Sequence, residues 1–340
     1  MLSAALDDLA HECRGQGLAA AVDRYDEMRV QTRRFRFASD VLESLIPLRR
    51  LASELLYYSD VVEHHGLGPG SRQALERWKL FPRVEMHGAA RSALKSRPFL
   101  AFGNHPAGVE VAFFNALLDR EDVFFLGGTH VQQILPGLAP WVIAVERRAL
   151  VSDSPPTRLR QQVVASASGR LWASAEHVDV AARNREAVEQ VVRLIGHERA
   201  GVHMFPAGSM DVDASWRHGI GRIVGELRHM SPEVASSVLL VPIVYRVGPS
   251  HVMGSNLLPV TSSLRRLAKF QRWACTGSPS VFVPRPVPLA ELKVEGAASP
   301  ETLTAALHDL WWAAAAESHT AMRSWFSAWR HERRRAGARD

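Results

Sequence analysis

From residue 98 onward, short apolar runs alternate with longer segments in which apolar residues recur every three or four positions. The apolar runs predict strands at 99–103, 122–126, 141–146, 201–205, 238–246 and 281–283. The periodic segments predict helices at 108–118, 157–168, 183–199, 219–230 and 300–334. Strands and helices alternating at this spacing are typical of a mostly parallel sheet covered by helices. The predicted fold class is therefore α/β, a mostly parallel sheet flanked by helices, with a helical N-terminal segment.

The first 80 residues differ, because their apolar positions have only the helical period. An apolar stripe over 41–56 contains Pro47, which predicts a kink or a helix restart there. The glycine-rich segment 66–70 predicts a break, followed by a short helix over 71–80, and 84–88 alternates like a strand. We expect a helical segment over 1–80, an α/β domain over 81–295, and an amphipathic C-terminal helix with a basic tail over 296–340.

The composition indicates an ordinary globular protein, 46% hydrophobic and 22% charged. Cys13 and Cys275 lie far apart, which indicates neither a disulfide framework nor a cysteine metal site. The first residues lack the pattern of a signal peptide. The stretch 123–145 has no charged residue and is long enough to cross a membrane, but its prolines and glutamines predict strand, turn and strand instead. We therefore expect a cytoplasmic protein without a membrane span.

The net charge of +6 is concentrated at the C-terminal end, where residues 261–340 hold 12 Lys or Arg against 7 Asp or Glu. Two basic clusters contain Arg265, Arg266, Lys269 and Arg272, and Arg330, Arg333, Arg334 and Arg335. Aromatic residues are interleaved with both clusters, a composition that suits an anionic membrane surface at the inner membrane face. The alternative is a solvated helix face with an arginine-rich tail. No nucleic-acid-binding motif is present, so no nucleic acid partner is expected.

A candidate general base follows the strand predicted at 99–103, where the chain reads NHPAGVE from Asn104 to Glu110. Histidine is the commonest general base, because its pKa lies near operating pH. Glu110 lies five residues after His105, about 140° around an ideal helix, so the two meet only if the chain turns before the helix begins. Pro106 and Gly108 favour such a turn. Taken singly, each residue has a commoner structural role in a turn or a first helical turn.

Two further strand ends carry candidate binding residues. The string FPAGS, Phe205 to Ser209, forms a turn whose N–H groups could hold an oxyanion or a phosphate, or merely an exit from the strand. Arg147 follows the strand at 141–146 and could clamp an anionic head group, or lie on the surface. The apolar run at 238–246 predicts a buried strand that carries Pro242, which is unusual in a central strand; the alternative is an edge strand.

In chain order over roughly residues 84–290, these features are NHPAGVE, the strand ending at Arg147, FPAGS and the strand that contains Pro242. Together they resemble the four sequence blocks of the glycerolipid acyltransferases, whose marks are NHx4D and FPEG. The resemblance implies that His105 removes the acceptor's hydroxyl proton and that Glu110 orients His105. It implies an acyl-CoA or acyl-carrier-protein thioester as donor and a lysophospholipid, glycerol phosphate or related lipid as acceptor, with neither metal nor redox cofactor. The implied substrate-binding residues are Asn104, Arg147, Phe205, Pro206, Gly208 and Ser209.

The chain departs from the family pattern at three positions: Glu110 replaces the Asp, Ala207 replaces the Glu of FPEG, and Met210 stands where an Arg is expected. The acceptor side therefore lacks one carboxylate and one cation. We expect another residue to supply the positive charge, and the candidates are Arg147, Arg217, His218 and Arg222. The alternative is a lipid-binding or membrane-associated relative without catalytic activity, which has lost the acceptor site.

Overall fold

The computed structural model describes residues 8–9, 11–13, 15–32, 35–37, 39–40, 43, 47–118, 120–146, 179–208, 216–252, 255–258, 278–294 and 298–318. In these residues the strands are Arg83–Met86 (β1), Phe99–Gly103 (β2), Val123–Gly128 (β3), Val142–Val145 (β4), Gly201–Met204 (β5), Leu239–Arg246 (β6), Ser280–Val283 (β7) and Val287–Pro288 (β8). They form one sheet in the order β1-β7-β6-β2-β5-β3-β4, with β8 beside β6. Strands β2 to β6 are mutually parallel, whereas β7 and β8 run antiparallel to β6. The predicted α/β class is confirmed.

Helices cover both faces of this sheet. They are Leu18–Gln31 (α1), Leu48–His65 (α2), Leu67–Trp78 (α3), Gly88–Ser96 (α4), Glu110–Asn115 (α5), Thr129–Ile134 (α6), Val180–Gly196 (α7), Gly219–Met230 (α8), Pro232–Ser237 (α9), Pro249–Val252 (α10) and Pro300–Glu317 (α11). Helices α2 to α5 share an apolar core with one face, and α7, α8 and α11 share a second core with the other. The two cores fix the central strands between two layers of helices.

Strand β2 shows why the central strands were predictable from sequence. Phe99 and Ala101 belong to one core, and Leu100 and Phe102 belong to the other. All four are fully buried. A strand buried on both faces has no polar positions to alternate with, so it reads as a continuous apolar run.

The break predicted over 66–70 is mostly wrong. Only Gly66, with φ +84°, interrupts the chain, and α3 already begins at Leu67. Pro69 is accommodated because the first turn of a helix does not need its N–H. Gly70 lies against α2, where an added Cβ would be 2.7 Å from Cα of Val62, so the missing side chain allows the two helices to touch. The restart predicted at Pro47 is confirmed, since α2 begins at the next residue.

The strand, turn and strand predicted over 123–145 are wrong in the middle. Between β3 and β4 the chain forms α6 and a 3₁₀ helix over Pro136–Trp141. Because β3 and β4 are parallel, the connection must cross back over the sheet, which a tight turn cannot do.

The buried strand predicted around Pro242 is confirmed and the alternative, an edge strand, is wrong, because β6 lies in the interior of the sheet. It pairs with β2 on one side, opposite Phe102 at Pro242. On its other side, pairing with β8 ends at Leu240 and pairing with β7 begins at Val244. Pro242 lies in this gap, where a residue without an N–H leaves no ladder hydrogen bond unmade.

The C-terminal helix α11 is part of the core. Ser299 caps its first turn by accepting from N of Thr302, and Trp311 donates from Nε1 to the carbonyl oxygen of Ile243 at 2.8 Å. The rest of the helix predicted to 334, the helix predicted at 157–168 and both basic clusters lie outside the described residues. Across the described part of the chain, no helix combines the length and the apolar character needed to cross a bilayer.

Candidate active site

His105 and Glu110 meet at the carboxyl end of β2, at the centre of the parallel strands. Nδ1 of His105 lies 2.8 Å from Oε2 of Glu110. The Glu110 side chain is fully buried, while the His105 side chain keeps 24% of its surface exposed. A carboxylate can only accept, so Nδ1 carries the hydrogen and Nε2 presents a lone pair. No hydrogen bond to Nε2 occurs within the described residues, so this nitrogen is available to a substrate.

The turn between the two residues gathers around the Glu110 carboxylate. Oε1 accepts from N of Ala107 at 2.6 Å, and Oε2 accepts from N of Gly108 at 2.8 Å. Gly108 has φ +85°, a conformation that residues with a Cβ rarely adopt. Helix α5 begins at Glu110, so the side chain folds back over the turn that precedes it. This folded-back path accommodates a side chain that is one methylene longer than aspartate.

Asn104 joins the end of β2 to β6. Its Nδ2 donates to the carbonyl oxygen of Tyr245, and its Oδ1 accepts from N of Tyr245, both at 2.9 Å. Both ends of the amide are thus engaged with backbone, directly before His105. This places Asn104 in the scaffold that fixes the start of the turn.

The second string meets the first through an aromatic stack. Phe205 follows β5, and the centroid of its ring lies 4.2 Å from the centroid of the His105 ring, at an interplanar angle of 22°. The turn closes with N of Gly208 donating to the carbonyl oxygen of Phe205 at 2.9 Å, and Gly208 has φ +61°. Pro206 is buried and its carbonyl oxygen accepts from N of Arg217 at 3.0 Å. Sequence positions 105 and 205 therefore contribute to one site.

Beneath this stack lie two residues that the sequence analysis did not assign to the site. His203 of β5 is fully buried, and its Nε2 lies 3.1 Å from the hydroxyl of Tyr245. Burial, and to a smaller extent the nearby charge of His105, lowers the pKa of His203 to about 3. Burial, and then the charge of Glu110, raises the pKa of Tyr245. The available signal was a histidine inside the apolar strand directly before FPAGS.

The cations proposed for the acceptor side are placed differently. The Arg217 side chain lies over the turn, where a Cβ added at Gly208 would be 3.5 Å from its Nε. The pKa of Glu301 is lowered first by hydrogen bonds from the backbone and Ser299 and then by the charges of His218 and Arg222. The Arg222 charge therefore acts on an acid of the C-terminal helix. Arg147, Ser209 and Met210 lie outside the described residues.

Comparisons with known proteins find a likeness among solved structures, and it is remote. A scan against protein-family models finds no match, and a search of curated proteins finds none either. Among solved structures, the chain is similar to the 1-acyl-sn-glycerophosphate (LPA) acyltransferase, PlsC, from Thermotoga maritima. The identity is 14%, the match covers 72% of this chain and 75% of the other, and the TM-score is 0.37. A likeness this remote supports no assignment of activity, so the chemistry rests on the site itself.

The geometry can perform general-base catalysis. A buried carboxylate holds one imidazole nitrogen in the protonated form, and it would stabilise the imidazolium after Nε2 takes a proton. The site lies where the carboxyl ends of parallel strands converge, the usual position of ligand sites in open α/β sheets. A hydroxyl or thiol reaching Nε2 would be activated as a nucleophile.

Proposed function

We propose that this protein is an acyltransferase that moves a fatty acyl group from a thioester to a hydroxyl of a lipid acceptor. The observation that carries the proposal is the His105–Glu110 pair, with the carboxylate buried and held by two backbone N–H groups. The donor is acyl-CoA or acyl-carrier protein, and the acceptor is a lysophospholipid, glycerol phosphate or related lipid. The order of NHPAGVE and FPAGS, which the resemblance relates to glycerolipid acyltransferases, supports this choice of reaction.

The reaction proceeds by general-base catalysis. Nε2 of His105 removes the acceptor's hydroxyl proton as the oxygen attacks the thioester carbonyl carbon, and a C–O bond forms. The tetrahedral intermediate collapses, the C–S bond breaks, and the imidazolium returns its proton to the leaving thiolate. The products are an ester and a free thiol. Glu110 opposes the positive charge that His105 carries between the two proton transfers.

Arg217 is our candidate for the charge that recognises an anionic group on the acceptor. It lies against the turn that stacks on the base, and no acidic side chain forms an ion pair with it in the described part of the chain. Arg222, one turn into α8, instead helps to lower the pKa of Glu301 through its charge. A guanidinium that lies against this turn suits a phosphate, which it can contact with two N–H donors.

We further propose that the lipid substrates are met at an anionic membrane surface. The support is the sequence alone, in the two basic clusters with interleaved aromatics.

The Ala207 and Met210 departures favour a second candidate, a lipid-binding relative without activity. The free energy needed to bury the Glu110 carboxylate argues against this candidate. A fully buried carboxylate is expensive to desolvate unless it is well bonded, and three N–H donors surround this one. A protein that only binds lipid does not need that arrangement.

The deciding experiment measures thiol release from acyl-CoA and acyl-carrier-protein thioesters, with lysophospholipids and glycerol phosphate as acceptors. His105→Ala should lower acceptor-dependent release by roughly 10²–10⁴-fold, the range that a general base contributes. His64→Ala, at an exposed histidine near the end of α2, is the control and should leave the rate unchanged. A wild-type protein that releases no thiol with any pair, yet binds lipid, would favour the second candidate.

The Arg217 assignment has its own pair of variants. Arg217→Ala should raise the KM for an anionic acceptor at least tenfold, because a charged hydrogen bond contributes about 1.5–3 kcal/mol. Arg222→Ala should leave that KM unchanged. Equal KM values in the two variants would remove Arg217 from the acceptor site.

A further inference from the structure

His203 and Tyr245 lie below the candidate base, and neither faces solvent. His203 lies on β5 and Tyr245 on β6, and these two strands pair with opposite sides of β2, the strand that leads to His105. His203 is opposite Ala101 in the sheet, and its ring contacts Phe114 of α5 at 4.8 Å between centroids. Its Nδ1 has no hydrogen-bond partner in the described part of the chain. A buried polar residue of this kind in an apolar strand is costly, so it calls for a physical explanation.

The contacts around these residues form a closed ring that includes the base. His105 stacks on Phe205, and the ring of Phe205 meets the ring of His203 edge to face at 4.6 Å. His203 is hydrogen-bonded to the Tyr245 hydroxyl, and the Tyr245 backbone holds both ends of the Asn104 amide. Asn104 is the residue before His105. The imidazole of the base is therefore held from its backbone side and from its ring face by the same buried pair.

We propose that His203 and Tyr245 are positioning residues, whose hydrogen bond sets the ring plane of His105 and so the direction in which Nε2 presents its lone pair. The Glu110 carboxylate fixes Nδ1 but leaves the ring free to rotate about the line of that hydrogen bond. Phe205 restrains this rotation, and Phe205 is in turn held by His203. The pair touches neither the reacting hydroxyl nor the thioester. The low pKa of His203 keeps this residue neutral, so no second positive charge opposes the imidazolium of His105.

The test compares two tyrosine variants. Tyr245→Phe removes the hydroxyl and leaves Nε2 of His203 buried without a partner, whereas the matched control Tyr58→Phe removes another buried hydroxyl, bonded to Ser71 at 3.0 Å in α3. The substrate-free readout is the ¹⁵N chemical shifts of the His105 ring, identified by their loss in His105→Ala. Wild type and Tyr58→Phe should show the same sharp signals of the Nδ1–H form. Tyr245→Phe should keep the Nδ1–H form, but its ring signals should be shifted and broadened because the ring then adopts several orientations.

The kinetic readout rests on the proposed acyltransferase function. Tyr245→Phe should lower kcat on the order of tenfold with unchanged KM values, since a displaced base loses rate rather than binding. The double variant His203→Phe and Tyr245→Phe removes both partners and leaves no polar atom of the pair unsatisfied, so it should regain stability. Because it still lacks the hydrogen bond, it should keep the altered His105 ring signals and the lowered kcat. His203→Phe alone should resemble Tyr245→Phe, and it carries the test if that variant does not fold.

The outcomes separate the two proposals. If no variant or wild type transfers acyl groups, the proposed function fails, while the ¹⁵N shifts still decide whether the buried pair positions His105. If Tyr245→Phe behaves like Tyr58→Phe in both readouts, the positioning role is overturned. A loss of stability in Tyr245→Phe without any change in the His105 ring signals overturns it as well.

Discussion

The carboxylate of Glu110 offers the sharpest test of the site, because its neutral amide has nearly the same shape. Three N–H donors point at the two oxygens, from His105, Ala107 and Gly108. In Glu110→Gln the amide has a single oxygen. With that oxygen in the place of Oε2 it serves two donors, and its NH₂ group then faces N–H of Ala107. One charged hydrogen bond is lost and one buried donor is unpaired, which should lower the free energy of unfolding by about 2–4 kcal/mol.

The expected loss of activity is larger than the tautomer alone would give. Once His105 is protonated, two unit charges lie about 4 Å apart, which corresponds to about 4 kcal/mol at an effective dielectric constant of 20. Removing the carboxylate charge should therefore lower kcat on the order of 10³-fold, since each 1.4 kcal/mol is about tenfold. Thiol release gives kcat, and denaturant unfolding gives the stability.

Glu54→Gln is the matched control. Glu54 is a buried carboxylate too, and it accepts from Arg77 and from Nε1 of Trp78, away from the site. That variant should lose stability while kcat stays at the wild-type value. Equal kcat values for Glu110→Gln and wild type, with the stability loss present, would refute the role of Glu110 in charge stabilisation.

Three further predictions concern the helix packing, the buried histidine and the turn at Gly208. Gly221→Ala should lower the free energy of unfolding by about 3 kcal/mol, because its Cβ would be 1.9 Å from the carbonyl oxygen of Pro300. In the control Gly225→Ala the nearest atom would be 3.4 Å away, so helix propensity should raise the free energy of unfolding by up to about 1 kcal/mol. Thermal melting of both variants measures the difference. For His203, the folded pKa of about 3 lies below an unfolded value near 6.5, so the unfolded chain binds the proton first as the pH falls. Wild type should therefore lose roughly 2–3 kcal/mol relative to His203→Phe between pH 6.5 and 4.5 in denaturant unfolding, and parallel curves would contradict the burial of a neutral imidazole. Gly208→Ala should cost about 1–2 kcal/mol from its φ of +61° and raise the acceptor KM, whereas an unchanged KM would place the turn outside the acceptor site.

Local pattern predicted the strands well where both faces are buried. The runs that form β2 and β6 contain almost no polar residue, because each contributes side chains to both cores. The wrong predictions concern positions whose structure depends on neighbours that are distant in the sequence. Pro242 indicates an edge by itself, yet it lies in the gap between two antiparallel partners of an interior strand. Nothing near residue 242 in the sequence specifies that gap.

The candidate site divides in the same way. The sequence supplied His105 and Glu110 as residue types, and it supplied a proline and a glycine that could turn the chain between them. It did not indicate His203 or Tyr245, because a histidine inside an apolar strand has no local pattern that assigns it a role. Their importance depends on which strands are neighbours, and that order follows from packing over the whole chain.

The sequence by itself determined the α/β class, the candidate base with its candidate carboxylate partner, and the turn strings at two strand ends, because backbone conformation and burial period are properties of neighbouring residues. Only the tertiary structure decided that β5 and β6 pair with β2 on its two sides. That pairing brings Phe205 onto the ring of His105 and places the Tyr245 backbone against Asn104, across separations of 100 and 141 residues. Contacts over such distances form because burying both faces of the sheet is favourable, and no local signal records them.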